Sequence, residues 1–268
     1  MTRLLAILIA LAAPAAAQER IPSHCLAFAE APGRVEQVAF REPLAADTVR
    51  LSYIDHAMFL LQTPGGLSAV TDYSGFIGPA DFLPTVVTMN IAHGTHFTRF
   101  PDPAIEYVLE GWSRGGVAAD HHLDLGEMLI RNVPTDIRSN GGGGVHRDGN
   151  SIFVFEAAGL CIGHMGHLHH EPTPEDYALI GRLDVVMIAV DGGLTLDLPT
   201  VLKVMQRLRA SVVIPMHWFG RGTLDRFVDG MAGEFAVERP DASEIVLSRD
   251  ALPSRPTVMV LTPRLLAD

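Results

Sequence analysis

The sequence predicts a single α/β domain built on two sheets. Two observations carry that prediction. From residue 151 onward, apolar strand-like runs alternate with amphipathic helical segments: SIFVFEAAGLCIGHM, TPEDYALIGRL, DVVMIAV, LPTVLKVMQRLRA and SVVIPMHW. Before that point short strand-like runs follow one another. At 268 residues, with 48% hydrophobic and 19% charged side chains, the chain can also bury a full core, which excludes a disordered protein.

The amino-terminal residues, MTRLLAILIALAAPAAAQER, combine a basic Arg3, an apolar run and an Ala15-Ala16-Ala17 cleavage signature. This reads as a signal peptide over 1–17, removed after Ala17, leaving one domain over 18–268 in a periplasmic or secreted location. The run is short for a bilayer span of ~20 residues, and no later stretch qualifies, so no membrane contact is expected after signal removal. Next, VRLSYIDHAMFLLQTPGGLSAVTDYSG alternates apolar and polar residues around Pro64-Gly65-Gly66, predicting a two-stranded hairpin over 49–72. PTVVTMNI, at 84–91, reads as a buried strand running into the loop AHGTHFTRFPDP. IEYVLEGW and LGEMLIRNVP are further candidate strands. SNGGGGVHRDGN is a hairpin linker, because it lacks the Lys-Ser or Lys-Thr ending and the following helix of a phosphate loop. In the alternating half, SIFVFEAAGLCIGHM reads as one strand, and Thr173 and Pro174 mark a helix start. DVVMIAV and SVVIPM lack polar alternation and are expected to be buried on both faces.

A formal charge of −11 argues against nucleic acid and anionic lipid as partners, since both reward a basic surface. Export would place Cys25 and Cys161 in an oxidising compartment where they could pair, although their spacing fixes nothing about geometry.

Histidines recur at the carboxyl ends of three predicted strands: His93 and His96 after TVVTMNI, His164 and His167 after LCI, and His217 after SVVIPM. Side chains at that edge of an α/β sheet converge on one crevice. Imidazole suits zinc, copper, iron and nickel. Zinc is the first expectation for a hydrolytic site, because it polarises water without redox chemistry, and the ligand types exclude neither iron nor copper. His121 and His122 read as solvated loop residues, and His24, His56 and His146 also receive no role at the site. Met165 and Met216 read as apolar packing behind it.

With these positions in hand, the chain resembles the metallo-β-lactamase superfamily, and within it the branch of ascorbate-phosphate lactonase-like zinc-dependent hydrolases. LSYIDHAMFLL matches the branch's opening strand, Val70-Thr71-Asp72-Tyr73 its Ile-Asp-Pro, and Ile214-Pro215-Met216-His217 its Ile-Pro-Met-His. His164-Met165-Gly166-His167-Leu168-His169-His170 stands where the branch has His-Leu-Gly-Asp-Leu-Gly-His. The resemblance implies a four-layer αββα sandwich. It also implies a metal site drawn from His93, His96, His167 and His217, with Asp72 and His164 behind the ligands.

The signature loop Thr/Ser-His-x-His-x-Asp-His is degraded here. Ile91 replaces its first histidine and Thr95 its aspartate. His167 occupies the position of the metal-bridging aspartate, and an imidazole normally gives one nitrogen to one metal, so a single divalent ion is expected. The family's remaining histidine falls near Val133–Ile137, where Asp136 is the candidate substitute and a surface-turn role its alternative.

Two function classes follow. The first is an exported metal-dependent hydrolase of a small-molecule lactone, ester or phosphodiester. Its ion is held by His96, His167 and His217, with His93 as fourth ligand or base and His169, His164 or Asp136 as acid or base. The second is a non-hydrolytic copper or zinc binder, or a redox or sensing module, on the same fold. A histidine-rich surface tract is a third reading, disfavoured because the histidines are spread over separate strand ends.

Overall fold

The computed structural model describes residues 23–26, 40–91, 93–139 and 144–268. The expected signal peptide over 1–17, Asn140 and the first three glycines of the run at 141–144 lie outside the described residues.

Two sheets face each other. Strands β1 (Thr48–Asp55), β2 (Met58–Gln62), β3 (Ser68–Val70), β4 (Val86–Met89) and β5 (Tyr107–Glu110) open the first. Strands β6 (His122–Asp124), β7 (Met128–Arg138), β8 (Val145–Ala157) and β9 (Leu160–His164) open the second. Helix α1 (Pro174–Ile180), β10 (Val185–Ala189), helix α2 (Leu198–Leu208), β11 (Val212–Met216) and helix α3 (Arg221–Met231) continue it. The chain ends with β12 (Ala236–Glu238), β13 (Glu244–Ser248) and β14 (Thr257–Met259). The six-stranded sheet has the order β13-β1-β2-β3-β4-β5, and the eight-stranded sheet the order β12-β14-β11-β10-β9-β8-β7-β6.

The buried layers explain the stacking. Val49, Leu51, Phe59, Leu61, Ile130, Phe153, Phe155, Ile162, Met187 and Ile214 fill the space between the sheets. Alternate residues of the second sheet, including Val154, Val186, Ile188 and Val213, point the other way and meet Val201 and Val204 of α2 and Leu224 and Phe227 of α3. That two-sided burial is why these strands read as continuous apolar runs. All three α-helices contribute to this one layer. The outer face of the first sheet is covered, among the described residues, by Tyr73, Ile77, Ile105, Trp112 and Leu266 from loops and the carboxyl-terminal tail. The α/β sandwich is as expected, but its fourth layer is irregular there. Gly75, Gly78, Pro79, Pro84, Pro101 and Pro103 punctuate the covering loops and disfavour helix.

Two boundaries differ from the sequence reading. The segment 49–72 forms three strands, because the chain also turns at His56-Ala57, where His56 takes φ 45°. The run SIFVFEAAGLCIGHM is a hairpin rather than one strand. Ala157 pairs with Leu160 across Ala158 and Gly159, whose φ values of 50° and 69° suit a two-residue turn of the type that matches strand twist. An apolar sequence on both sides hid the break. Helix α1 starts as predicted, with Thr173 and Asp176 forming a reciprocal capping box and Pro174 in the first turn.

The amino-terminal segment is tied down covalently and electrostatically. Cys25 is disulfide-bonded to Cys161 of β9. Beside it, buried Glu156 accepts from Arg131 and Ser23 and pairs with His24. The Glu156 carboxyl lies below its usual range, because these donors and cations outweigh the opposing effect of burial.

Candidate metal centre

Topology brings the histidines together. Strands β9, β10 and β11 run parallel, so Met165–His167, Asp191 and His217 follow their ends at one edge of the second sheet. In the first sheet β2 is antiparallel to both β1 and β3, and β3 is parallel to β4. The β1 turn with His56, Asp72 after β3, and the loop with His93 and His96 after β4 therefore share an edge. The two edges close on each other, and nitrogens of His56, His93, His96 and His217 all lie within 4.8 Å of one another. His167 joins them, its ring centroid 4.8 Å from that of His96 and 5.0 Å from that of His217.

Each outer nitrogen has its own neighbour. His96 Nδ1 lies 2.5 Å from Asp72 Oδ2, and both side chains are fully buried. Asn90 donates to the other Asp72 oxygen at 2.8 Å and accepts from the Ser151 N–H at 2.8 Å, bridging the sheets. His217 Nδ1 stands 3.0 Å from Asp191 Oδ2, close enough for a charge interaction but off the line of a regular hydrogen bond. Asp191 also accepts from the backbone of Gly193, Leu194 and Thr195 and from the Thr195 hydroxyl, which locks the loop after β10. His167 Nδ1 is 2.7 Å from His169 Nε2, and His93 Nδ1 is 2.8 Å from Thr95 Oγ1.

A carboxylate offers only lone pairs, so the single proton of a neutral His96 or His217 ring belongs on Nδ1. Both Nε2 atoms are then bare, yet they face each other at 3.1 Å. Two lone pairs at that distance repel unless a cation lies between them. Two imidazoles bound 2.0–2.1 Å from one zinc stand about 2.9–3.4 Å apart, so the spacing fits a shared ion. The buried His56 Nε2 also lacks a hydrogen-bond partner, and leaving such a group unpaired costs ~1–3 kcal/mol. The residues fit a metal.

The electrostatics agree with neutral, ligand-competent rings. Burial, reinforced by neighbouring imidazoles, lowers His93 and pushes His96 and His167 well below the usual histidine range. The same causes bring His56 down to about 3. Burial pushes the Asp72 carboxyl up to about 6 despite the imidazoles and Asn90 acting against it. Burial also acts to raise Asp191, but bonds from His217, Thr195 and Gly193 outweigh it and hold that carboxylate ionised.

Of the residues singled out from sequence, His93, His96, His167 and His217 meet in this cluster, Asp72 lies behind His96, and His169 behind His167. His164 sits apart as a strut. Its Nε2 donates to the Ala57 carbonyl at 2.8 Å, and its Nδ1 accepts from Gly166 N–H at 3.2 Å, so both nitrogens are spent on backbone. Asp136 does not join the histidines. It accepts from the Asp148 N–H at 2.9 Å and lines a separate cleft of about 410 Å³ with Thr135, His170, Glu171 and Asp176. A register shift between Thr135 and Ile137 aims it there. His122 begins β6 rather than lying in a loop, and His121 Nε2 is 2.8 Å from the Glu110 carbonyl.

Two site residues escaped the sequence reading. His56 lies in the opening strand motif at a position that carries no ligand in the family it resembles, and Asp191 lies in no recognised motif. Asp191 is followed by two glycines at the end of a buried strand, on the same edge as the histidines. That pattern could have found it.

Comparison with known proteins follows the same lines. The family model described as the beta-lactamase superfamily domain matches residues 50–217. A UPF0173 metal-dependent hydrolase of Methanosphaerula palustris is 25% identical over 217 residues, covering 74% of this chain and 96% of its own. Among solved structures, one assigned as a Zn-dependent hydrolase of the metallo-β-lactamase superfamily, from Thermotoga maritima, superimposes with a TM-score of 0.57. It shares 23% identity and covers 80% of this chain and 98% of its own. A diiron β-hydroxylase from Streptomyces venezuelae has the same fold at 14% identity and a TM-score of 0.52, covering 77% of this chain and 55% of its own.

Proposed function

Because the chain belongs to the metallo-β-lactamase superfamily, we propose that it is an exported metal-dependent hydrolase of a small-molecule lactone, ester or phosphodiester. The observation that carries the metal reading is the His96–His217 pair, whose bare Nε2 atoms face each other at 3.1 Å with a carboxylate behind each ring. One divalent ion, zinc in the first instance, would be held here by His96 and His217, with His93 and His167 in the same cluster. Such an ion supplies Lewis acidity and lowers the pKa of water to about 7.

The chain's own residues do the rest. Asp72 and Asp191 keep the ligand protons on Nδ1 and orient the rings. Thr95 replaces the motif aspartate, and a hydroxyl is a poor base at neutral pH, so this loop position would not take up the proton of an attacking water as a carboxylate does. Phe219 is 66% exposed and its ring lies 5.4 Å from both His56 and His217, which offers an apolar wall to substrate beside the ion. Export is supported by the amino-terminal pattern and by the Cys25–Cys161 disulfide, a bond that persists in oxidising compartments.

One feature favours a second reading. No carboxylate touches the Nε2 side of the cluster among the described residues, and an all-imidazole set suits copper as well as zinc. Metal analysis of protein purified from the exported fraction, followed by a panel of lactones, esters and phosphodiesters, separates the two. The hydrolase reading expects about one zinc per chain and turnover of at least one substrate class. Tight copper binding with no turnover by any metal-loaded form would replace it with the non-hydrolytic one.

A further inference from the structure

Resting on the metal-site reading above, we infer that His56, rather than His167, completes the ligand set with His96 and His217, and that His167 faces the same space as an N–H donor. The assignment follows from where each ring must carry its proton.

The chain of bonds starts at a backbone amide. Arg138 N–H donates to His169 Nδ1 at 2.7 Å, so that nitrogen carries no proton. The proton of His169 is then on Nε2, which donates to His167 Nδ1 at 2.7 Å. His167 in turn has its proton on Nε2, 3.2 Å from His93 Nε2. His93 accepts there and keeps its own proton on Nδ1, 2.8 Å from Thr95 Oγ1. A nitrogen that bears a proton cannot bind a metal, and one that accepts a hydrogen bond has its lone pair engaged. The His169–His167–His93 row is thereby satisfied internally.

His96 and His217 are left with bare Nε2 atoms, and a third ring offers an Nε2 that no hydrogen bond engages. His56 Nε2 is buried and unpartnered, and the His56 ring lies 3.9 Å from that of His217 and 5.2 Å from that of His96. The position is held at a cost. His56 and His217 both adopt left-handed backbone, at φ 45° and 57°, and the His217 N–H donates to the His56 carbonyl at 2.8 Å, which also accepts from the Tyr53 hydroxyl at 2.7 Å. Non-glycine residues in that conformation persist where surrounding structure over-determines them, as at ligand-holding turns. Three imidazoles with an open fourth position are also the ligand count of a catalytic zinc site. The β1 turn thus replaces what the loop lost at Ile91 and Thr95.

Zinc and cobalt titrations of the full chain test this, using chelator competition for affinity and the cobalt absorption spectrum for coordination. His56→Asn keeps a residue that tolerates left-handed backbone, and His56→Gly is the second variant should the first fold poorly. Either is expected to weaken zinc affinity by more than ~100-fold, beyond the loss caused by removing an outer hydrogen-bond partner, and to alter the cobalt spectrum. His167→Gln is expected to leave both within a few-fold. In the unmodified zinc form, long-range proton–nitrogen correlation spectra are expected to report His167 protonated on Nε2. Retention of affinity in both His56 variants, an equal loss in His167→Gln, or a zinc-bound His167 Nε2 would each overturn the assignment while leaving the metal site standing. Failure of the unmodified chain to bind either metal would overturn the metal-site reading itself, and this assignment with it.

Discussion

Asp72 and Asp191 each stand behind one site imidazole, and each is in turn held by further donors: Asn90 for the first, the 193–195 backbone and Thr195 for the second. Such partners set ring tautomer and orientation, and their loss typically costs ~10–100-fold in metal affinity. Asp72→Asn and Asp191→Asn are therefore expected to weaken zinc binding within that range without unfolding the chain, as read by chelator competition alongside circular dichroism. An unchanged affinity in both variants would remove the carboxylates from the site. Asp72 shares with His56 and His217 a positive φ, 44°, so left-handed backbone recurs around the cluster. None of these positions is glycine, and only the fold could reveal that they are strained.

At the scale of elements, the loop after β9 leaves little room for change. Gly166 takes φ 59°, and a Cβ there would lie 2.3 Å from Asn150 Oδ1 and 2.6 Å from Asn90 Nδ2. Those amides position His167 through the Asn150 Oδ1 to His167 N–H bond and Asp72 through Asn90. Gly166→Ala combines a disfavoured φ with a clash, and is expected to destabilise the protein by more than ~1 kcal/mol and to weaken metal binding. Denaturant titration and metal competition would read both effects. Stability unchanged within error would mean that the loop can shift to make room. The strand and helix order from residue 173 to 217 was legible, because capping residues and uninterrupted apolar runs report local structure directly. The Ala158-Gly159 turn was not, since it joins two strands that are apolar throughout.

At the scale of the molecule, Cys25–Cys161 joins the short amino-terminal segment to the second sheet across 136 residues of sequence. A crosslink over so long a loop restricts the unfolded chain, and losing one from a domain typically costs ~2–5 kcal/mol. The Cys25→Ser/Cys161→Ser double variant is expected to lose stability in that range in denaturant titrations under oxidising conditions, while retaining metal, because neither sulfur belongs to the histidine cluster. A double variant as stable as the parent would mean that Glu156, Arg131 and His24 suffice to anchor the segment.

By itself the sequence determined a two-sheet α/β domain and the sheet edge at which histidines gather, and its resemblance to a known family implied the sandwich and singled out His93, His96, His167 and His217. The first two are written in local patterns: apolar periodicity, caps, and imidazoles placed just after buried strands. Only the tertiary structure removed Asp136 from the site, spent His164 on backbone, brought in Asp191 and His56, and ordered the protons that distinguish one imidazole from the next. The physical reason is that a ligand is defined by a lone pair with no nearer partner. Whether a nitrogen has a partner depends on contacts across the two sheets, which no local spacing encodes.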